Sequence, residues 1–354
     1  MGNPRTLDFS ADARYSRGSS SFSLQVELAK EWLGRTANIF LDISFTTQAS
    51  SRNPKFNPHV GKLIEAINSY SRRGQCLNIC MPTMYLSLFQ NLPSETAQNE
   101  PGRFQHLRLH GFRLLQKSQV AFNADGDCLK PTRVTLGPLS VRFLRINWEN
   151  ITSLNCSYLF VGEFLELIRL APKMTDFAVA IAQGNDNLTT PSAPLIHSQL
   201  RTLTIKHCDD FILDFLFESL TLPSLESFSY EISRELTTQS NALIELLVRS
   251  YTPLRHLSLA RILMDIGKFF VLMTCLPQLE ELEILFEETT RYFDYFLAKL
   301  GETHISNHSE PSSDPPFLPR LRSLKYRYHG IHTLYSKFIP IAFGKDTVSS
   351  DNAT

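Results

Sequence analysis

The sequence predicts an α/β fold in which short parallel strands alternate with helices along a repeating array. The first observation is a recurring phrase, such as Leu254-x-x-Leu257-x-Leu259, whose last two apolar residues fall on one face of a short strand. The second is an apolar run after most phrases, with the three- and four-residue steps of a helical stripe, as between Tyr158 and Ala171. The third is a proline before most phrases, which ends a helix because it lacks an N–H and clashes with the previous turn. These prolines are Pro172, Pro223, Pro253, Pro277 and Pro319.

The phrases recur at a nearly constant spacing. They are Phe104–Leu109, Val141–Ile146, Met174–Val179, Leu200–Ile205, Leu225–Tyr230, Leu254–Leu259, Leu279–Ile284 and Leu321–Tyr326. From position 174 onward their starts lie 26, 25, 29, 25 and 42 residues apart. Most of these spacings fall within or near the roughly 20–29-residue period of leucine-rich repeats. One such unit cannot bury its own apolar face, so neighbours must stack. The predicted fold is a leucine-rich-repeat solenoid, a right-handed α/β horseshoe with parallel strands on its concave face and helices outside.

The predicted domain organisation is simple. Residues 1–22, which are polar and rich in serine and arginine, are expected to be a flexible leader. Residues 23–340 are expected to form one repeat domain, and residues 341–354 a frayed tail. The first two units are degenerate, with strands near 40–45 and 76–80. A short helix at 25–33 precedes the first, another near 60–70 separates them, and two surface loops are expected at 184–194 and 303–319.

Composition excludes several classes of function. Lys plus Arg and Asp plus Glu both number 35, and this zero net charge argues against a general binder of nucleic acid or of membrane surfaces. No apolar run approaches the roughly 20 residues needed to cross a bilayer, and no secretory signal is visible. Six cysteines occur without a C-x-x-C spacing. The sequence therefore predicts a monomer in the cytoplasm or nucleus, with reduced thiols. Proof of secretion would reverse that assignment.

Candidate catalytic and metal-binding patterns have simpler explanations. His106 and His110 are four apart, as are His304 and His308, but neither pair has the Glu of an H-E-x-x-H motif. No nucleophile elbow or phosphate-binding glycine loop is present. An acidic cluster fits a solvated face better than paired catalytic carboxylates, which need a cleft. Its members are Glu280, Glu281, Glu283, Glu287 and Glu288. The sequence predicts no catalytic residue, no metal and no cofactor.

The outward strand positions form the candidate binding surface. Alternate residues of each predicted strand face a broad concave surface, which suits a macromolecular partner better than a small substrate. The candidate partner-binding residues are His106, Arg108, His110, Arg145, Lys206, Glu281, Glu283, Lys325 and Arg327. Their charge is basic near the start and mixed near the end, which favours a protein partner over a phosphate backbone. The alternative is that such residues are merely solvated, since few positions dominate an interface.

Several segments resemble fungal F-box/leucine-rich-repeat proteins. Glu31–Thr36 leading into Leu41-Asp42-Ile43 is similar to the segment that opens the repeats in that family, and Leu167–Pro172 before Phe177 is similar to its repeat phrasing. Leu200–Cys208 and Leu276–Ile284 also match that phrasing. The resemblance implies the target-recognition subunit of a cullin-type (SCF) ubiquitin ligase, in which the repeats bind a target and the F-box binds a Skp-type adaptor.

This chain departs from the family pattern at its start. The leader of about 22 residues is too short and polar to contain an F-box, so an adaptor is expected only if an F-box lies upstream. The alternative is a stand-alone leucine-rich-repeat scaffold or adaptor unconnected with ubiquitin. In either case the predicted partner is a protein bound on the concave face.

Overall fold

The computed structural model forms two compact units, Met1–Leu188 (unit 1) and Thr189–Thr354 (unit 2). The described residues are 5–12, 19–35, 41–48, 58–70, 74–89, 105–112, 122–123, 130–181, 193–208, 210–231, 241–260, 266–286, 295–301 and 317–328. The boundary between the units lies in the 184–194 stretch that is predicted to be a surface loop, and one repeat domain over residues 23–340 stays a prediction.

Unit 1 contains a parallel sheet with helices between its strands. Its elements are β1 (Arg5–Asp12), α1 (Ser19–Arg35), β2 (Leu41–Gln48), α2 (Pro58–Tyr70), β3 (Gly74–Pro82), α3 (Thr83–Leu86), β4 (His106–Phe112), β5 (Phe122–Asn123), β6 (Arg133–Leu136), β7 (Leu144–Arg145), β8 (Ser153–Leu159), α4 (Val161–Leu170) and β9 (Asp176–Ile181). The sheet order is β1-β2-β3-β4-β6-β8-β9. Every pairing in it is parallel. A separate parallel pair joins β5 and β7.

Unit 2 repeats the same arrangement. Its elements are β10 (Leu195–Ile196), β11 (Thr202–Lys206), α5 (Asp210–Glu218), β12 (Leu220–Thr221), β13 (Ser227–Glu231), α6 (Ala242–Ser250), β14 (His256–Ala260), α7 (Ile266–Thr274), β15 (Glu281–Phe286), the helix α8 at 295–301 and β16 (Ser323–Tyr328). Its sheet order is β11-β13-β14-β15-β16, again with every pairing parallel. β10 and β12 form a separate parallel pair. The α/β class with parallel strands is therefore confirmed in both units.

One face of each sheet is buried beneath helices. In β9, for example, Phe177 is 1% exposed and stacks on Phe164 of α4 with ring centroids 4.9 Å apart. In unit 2, Phe217 of α5 meets Phe228 of β13 at 5.8 Å. Such aromatic pairs contribute roughly 0.5–1.5 kcal/mol beyond the burial of their area. The alternation of buried and outward residues along each strand leaves the opposite sheet face polar, and we call it the open face.

Helix ends in both units are held by specific polar contacts. Glu163, in the first turn of α4, is 1% exposed and accepts hydrogen bonds from the Ser140 hydroxyl and from the backbone N–H of Phe160 (3.2 Å). Arg249 of α6 donates to the backbone oxygens of Phe217 and Leu220, each at 2.6 Å. Helix termini leave unpaired backbone groups, so these side chains satisfy atoms that burial would otherwise leave unpaired.

The residue before each strand belongs to what we call the pre-strand row. In unit 1 three threonines of this row each donate a hydroxyl hydrogen bond to the backbone oxygen of the preceding pre-strand residue. The hydrogen bonds run from Thr132 to Gln105 (3.2 Å), from Thr152 to Thr132 (3.1 Å) and from Thr175 to Thr152 (3.0 Å). In unit 2 it alternates in charge: Arg201, Glu226, Arg255, Glu280 and Arg322. The ion pairs are Arg201–Glu226 (3.5 Å), Arg255–Glu280 (3.6 Å) and Arg322–Glu280 (3.8 Å).

Two predictions of secondary structure are wrong. The phrase Val141–Ile146 was predicted to be a strand of the sheet, but Val141–Phe143 is a 3₁₀ helix and only Leu144–Arg145 is extended, in β7. In this part of the sheet the paired strands are β6 and β8, and it is their alternate residues that are buried. The predicted flexible leader contains β1 and the start of α1, and β1 pairs with β2 over all of its residues. The tail predicted at 341–354 lies outside the described residues.

Candidate functional site

The open face of unit 1 gathers polar side chains into rows across four neighbouring strands. Backbone register places Asp42, Cys76, His106 and Arg133 in one row, from β2 to β6. The next row holds Ser44, Asn78, Arg108 and Thr135, and a third holds Thr46, Cys80 and His110. Parallel strands lie about 4.8 Å apart, so side chains in one row are direct neighbours.

Four of these side chains form what we call the arginine–histidine patch: His106, Arg108, His110 and Arg133. Arg108, His110 and Arg133 are exposed, and His106 is half-buried. Neither Arg108 nor Arg133 has an ion pair or a hydrogen bond within the part of the chain that the structure describes. The two guanidinium groups are therefore free to bind an outside group, with all five N–H donors of each available.

The electrostatics of His106 reflect this excess of positive charge. Burial lowers the pKa of His106, and the nearby cations Arg133 and Arg108 lower it further. Asp42, in the same row, acts in the opposite direction on that pKa but more weakly. A like charge disfavours protonation, so the imidazole is neutral at pH 7 and offers one N–H donor.

The two cysteines beside the histidines are not poised as nucleophiles. Burial raises the pKa of Cys76, with a further increase from Asp42 that Arg108 partly opposes. Burial also raises the pKa of Cys80. Since the thiolate is the reactive form, both thiols are weak nucleophiles at neutral pH. Within the described ranges, no three or more His, Cys, Asp and Glu side chains come together in a way that could hold a metal ion.

Two glycines fix the end of the patch nearest His110. A Cβ added at Gly137 would lie 2.9 Å from Cδ2 and Cγ of the His110 ring and 3.0 Å from its Cα. A Cβ added at Gly111 would meet the side chain of Leu139 and, at 2.8 Å, Cγ2 of Thr83. The loop after β6 thus packs closely on the end of β4, which holds the His110 ring against the backbone of Gly137.

A small cavity opens beside this loop. It has a volume of about 280 Å³ and is lined by Pro138, Leu139, Ser140, Tyr158, Leu159, Phe160 and Glu163. Its one carboxylate, Glu163, already accepts hydrogen bonds from Ser140 and from the start of α4. Ligand pockets are typically about 300–1,000 Å³ and present unsatisfied polar groups, so this cavity is a weak candidate for a small-molecule site.

The open face of unit 2 differs because its charges pair with one another. Lys206 of β11 lies 3.8 Å from Glu231 of β13, and His256 of β14 lies 3.8 Å from Glu281 of β15. The positions between them are small and neutral, including Thr204, Ser229 and Ser258. In the acidic cluster predicted to be a solvated face, Glu280 thus pairs with two arginines and Glu281 lies near an imidazole.

The candidate binding residues therefore fall into three groups. His106, Arg108 and His110 lie together on the open face of unit 1, and Lys206, Glu281, Glu283 and Lys325 lie on that of unit 2. Arg145 was placed on the open face wrongly: it is exposed on β7, outside the large sheet, because Val141–Ile146 is not a sheet strand. Arg327 has its backbone in β16, but its side chain lies outside the described part of the structure.

Arg133 is the member of the patch that sequence reasoning missed. It begins β6, a four-residue strand whose Val134 and Leu136 are buried. The available signal was the alternation Val134-x-Leu136 between Pro131 and Gly137-Pro138, which is typical of a short strand bounded by turn residues.

No described helix is long and apolar enough to cross a membrane. No protein-family model, no curated protein and no solved structure matches the chain. The geometry of its open faces is therefore the observation that bears most directly on what it does.

Proposed function

We propose that this chain is a non-catalytic protein–protein interaction module of the leucine-rich-repeat type, which binds a protein target on the open face of unit 1. The observation that carries the proposal is the arginine–histidine patch. Arg108 and Arg133 are exposed and lack an intramolecular partner among the described residues, on a sheet face whose other side is buried. Arginine is enriched at protein interfaces and among the residues that dominate binding energy.

The shape of the surface supports a macromolecule over a small substrate. The polar rows extend over at least four strands, or roughly 15 Å at the usual strand spacing. The raised pKa values of Cys76 and Cys80 speak against a thiolate nucleophile on this face. A broad set of separated donors fits the contact surface of another protein, where a few central residues carry most of the affinity.

The finer proposal is the target-recognition region of an F-box-type SCF ubiquitin ligase receptor, acting in the cytoplasm or nucleus. Its support is the resemblance of Glu31–Thr36 and of the repeat phrases to fungal F-box/leucine-rich-repeat proteins. A scaffold unconnected with ubiquitin is the alternative, and the same patch would serve it. The two differ in whether a Skp-type adaptor joins the complex.

The proposal is tested by affinity purification of the full chain from cells, followed by mass spectrometry. We compare the wild type with Arg108→Glu/Arg133→Glu and with Arg169→Glu, a charge reversal on an exposed arginine of α4 in the same unit. We expect the target to be lost with the patch variant and kept with the control, at unchanged melting temperatures. Equal capture by all three proteins would overturn the proposal.

A second measurement separates ligase receptor from scaffold. If the chain serves a ubiquitin ligase, deleting its gene should slow degradation of the captured target, and the Skp-type adaptor should co-purify with the longest natural form of the protein. An unchanged half-life of the target with retained binding would favour the scaffold.

A further inference from the structure

We infer that the arginine–histidine patch recognises an acidic segment of its protein partner, in extended conformation and with carboxylates on alternate residues. The inference rests on the proposed function and specifies its ligand chemistry. It follows from a juxtaposition on the open face of unit 1, where two guanidinium groups without a partner among the described residues lie together with two imidazoles and several neutral donors on β3, β4 and β6.

The positive charge of the patch is not neutralised within the described structure. Arg108 and Arg133 have no anionic partner there. Among the described strands the nearest acidic residues by register are Asp42 and Asp176, and Cys76 stands between Asp42 and His106 in the same row. On the other side, Ser153 of β8 separates Arg133 from Asp176 of β9. An anion arriving from outside would therefore meet two cations with little local competition.

The spacing of the two arginines fits alternate residues of an extended chain. Arg133 is in register with His106, and Arg108 lies two residues further along β4. With strands about 4.8 Å apart and about 3.3 Å per residue, the two Cα atoms are separated by roughly 8 Å. Side chains at alternate positions of an extended peptide lie about 7 Å apart, and long arginine side chains absorb the difference. Each guanidinium can then bind one carboxylate through two parallel N–H···O bonds.

The surroundings of the arginines supply further donors of the right kind. Asn78 lies beside Arg108 in its row, and its Nδ2 approaches Ser44 Oγ at 3.3 Å, a contact that an outside acceptor could replace. Thr135 is the neighbour of Arg108 on the other side, and Asn155 of β8 follows it in the same row and is exposed. Hydroxyl and amide groups can donate to carboxylate oxygens that the arginines leave free.

A continuous polyanion fits this surface less well. A nucleic-acid strand would need a basic stripe, whereas the row that holds His106 and Arg133 also carries Asp42 on one side of them and Asp176 on the other. Those carboxylates would repel phosphates on both sides of the patch. A short acidic peptide segment that ends within the patch avoids this repulsion.

The test is fluorescence anisotropy with the full chain and a labelled peptide in which three glutamates alternate with serines. A matched peptide carries glutamine in place of each glutamate. We expect the acidic peptide to bind about tenfold or more tightly than the glutamine peptide, since opposite charges attract across the interface. Raising NaCl from about 50 mM to about 500 mM should weaken binding, because exposed charges are screened.

Protein variants assign the binding to the patch. Arg108→Glu/Arg133→Glu should weaken binding of the acidic peptide about tenfold or more, whereas Arg169→Glu should change it by about twofold or less. Equal loss in the patch variant and the control, equal binding of the two peptides, or tighter binding of an oligothymidylate than of the acidic peptide would each overturn the inference.

Failure of this inference is distinguishable from failure of the proposed function. If affinity purification captures a target that depends on Arg108 and Arg133 while the acidic peptide does not bind, the acidic ligand is wrong and the binding face stands. If the acidic peptide binds at the patch while no target depends on those arginines, the ligand chemistry stands and the proposed function is wrong.

Discussion

Unit 1 and unit 2 share one backbone plan and use charge in opposite ways. In both units the carbonyl oxygen of one pre-strand residue accepts two backbone hydrogen bonds, from the next pre-strand residue and from the residue after it. In unit 1 the N–H groups of Thr152 and Ser153 donate to Thr132 O, and in unit 2 those of Arg255 and His256 donate to Glu226 O. In unit 1 the pre-strand residues before β6, β8 and β9 are threonines, whereas in unit 2 the pre-strand side chains alternate between arginine and glutamate.

The same contrast appears on the open faces. The basic side chains Lys206 and His256 of unit 2 each lie 3.8 Å from a glutamate on the next strand. Arg108 and Arg133 of unit 1 have no such partner among the described residues. A parallel sheet of this kind can thus pair charged side chains across neighbouring strands, as Lys206 and Glu231 do in unit 2, whereas the described part of unit 1 shows no such partner for Arg108 or Arg133.

The largest expected effect tests the plan that the two units share. Leu257 of β14 is 2% exposed, so Leu257→Asp places an unpaired charge in the core of unit 2 and should reduce the free energy of unfolding by at least about 3 kcal/mol. Leu109→Asp should do the same in unit 1, where Leu109 is fully buried. The measurement is urea unfolding followed by circular dichroism.

The matched control is Ser229→Asp on the neighbouring strand β13, where the side chain faces the open side of the sheet and is half-buried. It should change the free energy of unfolding much less than Leu257→Asp. Equal effects of the two aspartates would show that the assignment of buried and open faces is wrong.

A smaller effect is expected where unit 1 holds its patch in place. Gly137→Ala should destabilise the protein by about 1–3 kcal/mol, because the new Cβ would overlap the ring and Cα of His110. It should also weaken binding of the acidic peptide by displacing His110. Gly34→Ala, in the exposed part of helix α1, should instead be neutral or slightly stabilising. A Gly137→Ala protein with wild-type stability would contradict the close approach of this loop to β4.

The pre-strand rows of the two units should respond differently to salt. Thr152→Val removes a half-buried hydroxyl that bonds to Thr132 O, and should lower the free energy of unfolding by about 1 kcal/mol at any ionic strength. Glu280→Gln removes the carboxylate between Arg255 and Arg322, which are both more than half exposed, and should cost about 0.5 kcal/mol at low salt. In about 1 M NaCl that second cost should nearly vanish. The same salt dependence for both variants would contradict the assignment of hydrogen bonds to the row of unit 1 and of ion pairs to the row of unit 2.

The smallest effect concerns the positive character of the patch in unit 1. The pKa of His106 is lowered in the folded protein, so the unfolded chain binds more protons as pH falls through the imidazole's ordinary value of 6.5. The contribution of His106 to the free energy of unfolding is therefore fully present above pH 6.5. It is lost as the pH falls towards the lower pKa that the imidazole has in the folded protein. His106→Gln should therefore lose less thermal stability between pH 7 and pH 5 than the wild type. A larger loss in the variant would contradict the lowered pKa that burial and the cations Arg133 and Arg108 give His106.

The sequence predicted most strands of the two sheets because their buried residues alternate locally. Leu203 and Ile205, or Leu282 and Ile284, are recognisable without knowledge of the partner strand. The same signal failed at Val141–Ile146, because apolar spacing of this kind also fits a 3₁₀ turn, and which segment enters the sheet depends on tertiary pairing. The pairing of Arg5–Asp12 with β2 was missed for a related reason: the polar composition of the segment outweighed the alternation of Leu7 and Phe9.

The candidate site was only partly accessible to sequence reasoning. His106, Arg108 and His110 share one strand, so a local pattern was enough to place them on one face. Arg133 joins them only because β6 pairs with β4 across a segment of 20 residues between them, Arg113 to Thr132. No local pattern carries that information. That the described strands offer the two arginines no charge partner is likewise a property of the folded sheet.

Two cysteines that are fully buried among the described residues give each unit its own chemical reporter of opening. Cys156 lies in β8 of unit 1, where burial and the nearby Glu163 raise its pKa, and Cys208 follows β11 in unit 2; each is 1% exposed. With the other four cysteines replaced by serine, a maleimide or disulfide reagent can reach either thiol only after local unfolding. Labelling rates at the two sites, followed by mass spectrometry across a urea series, would show whether unit 1 and unit 2 open together or one before the other.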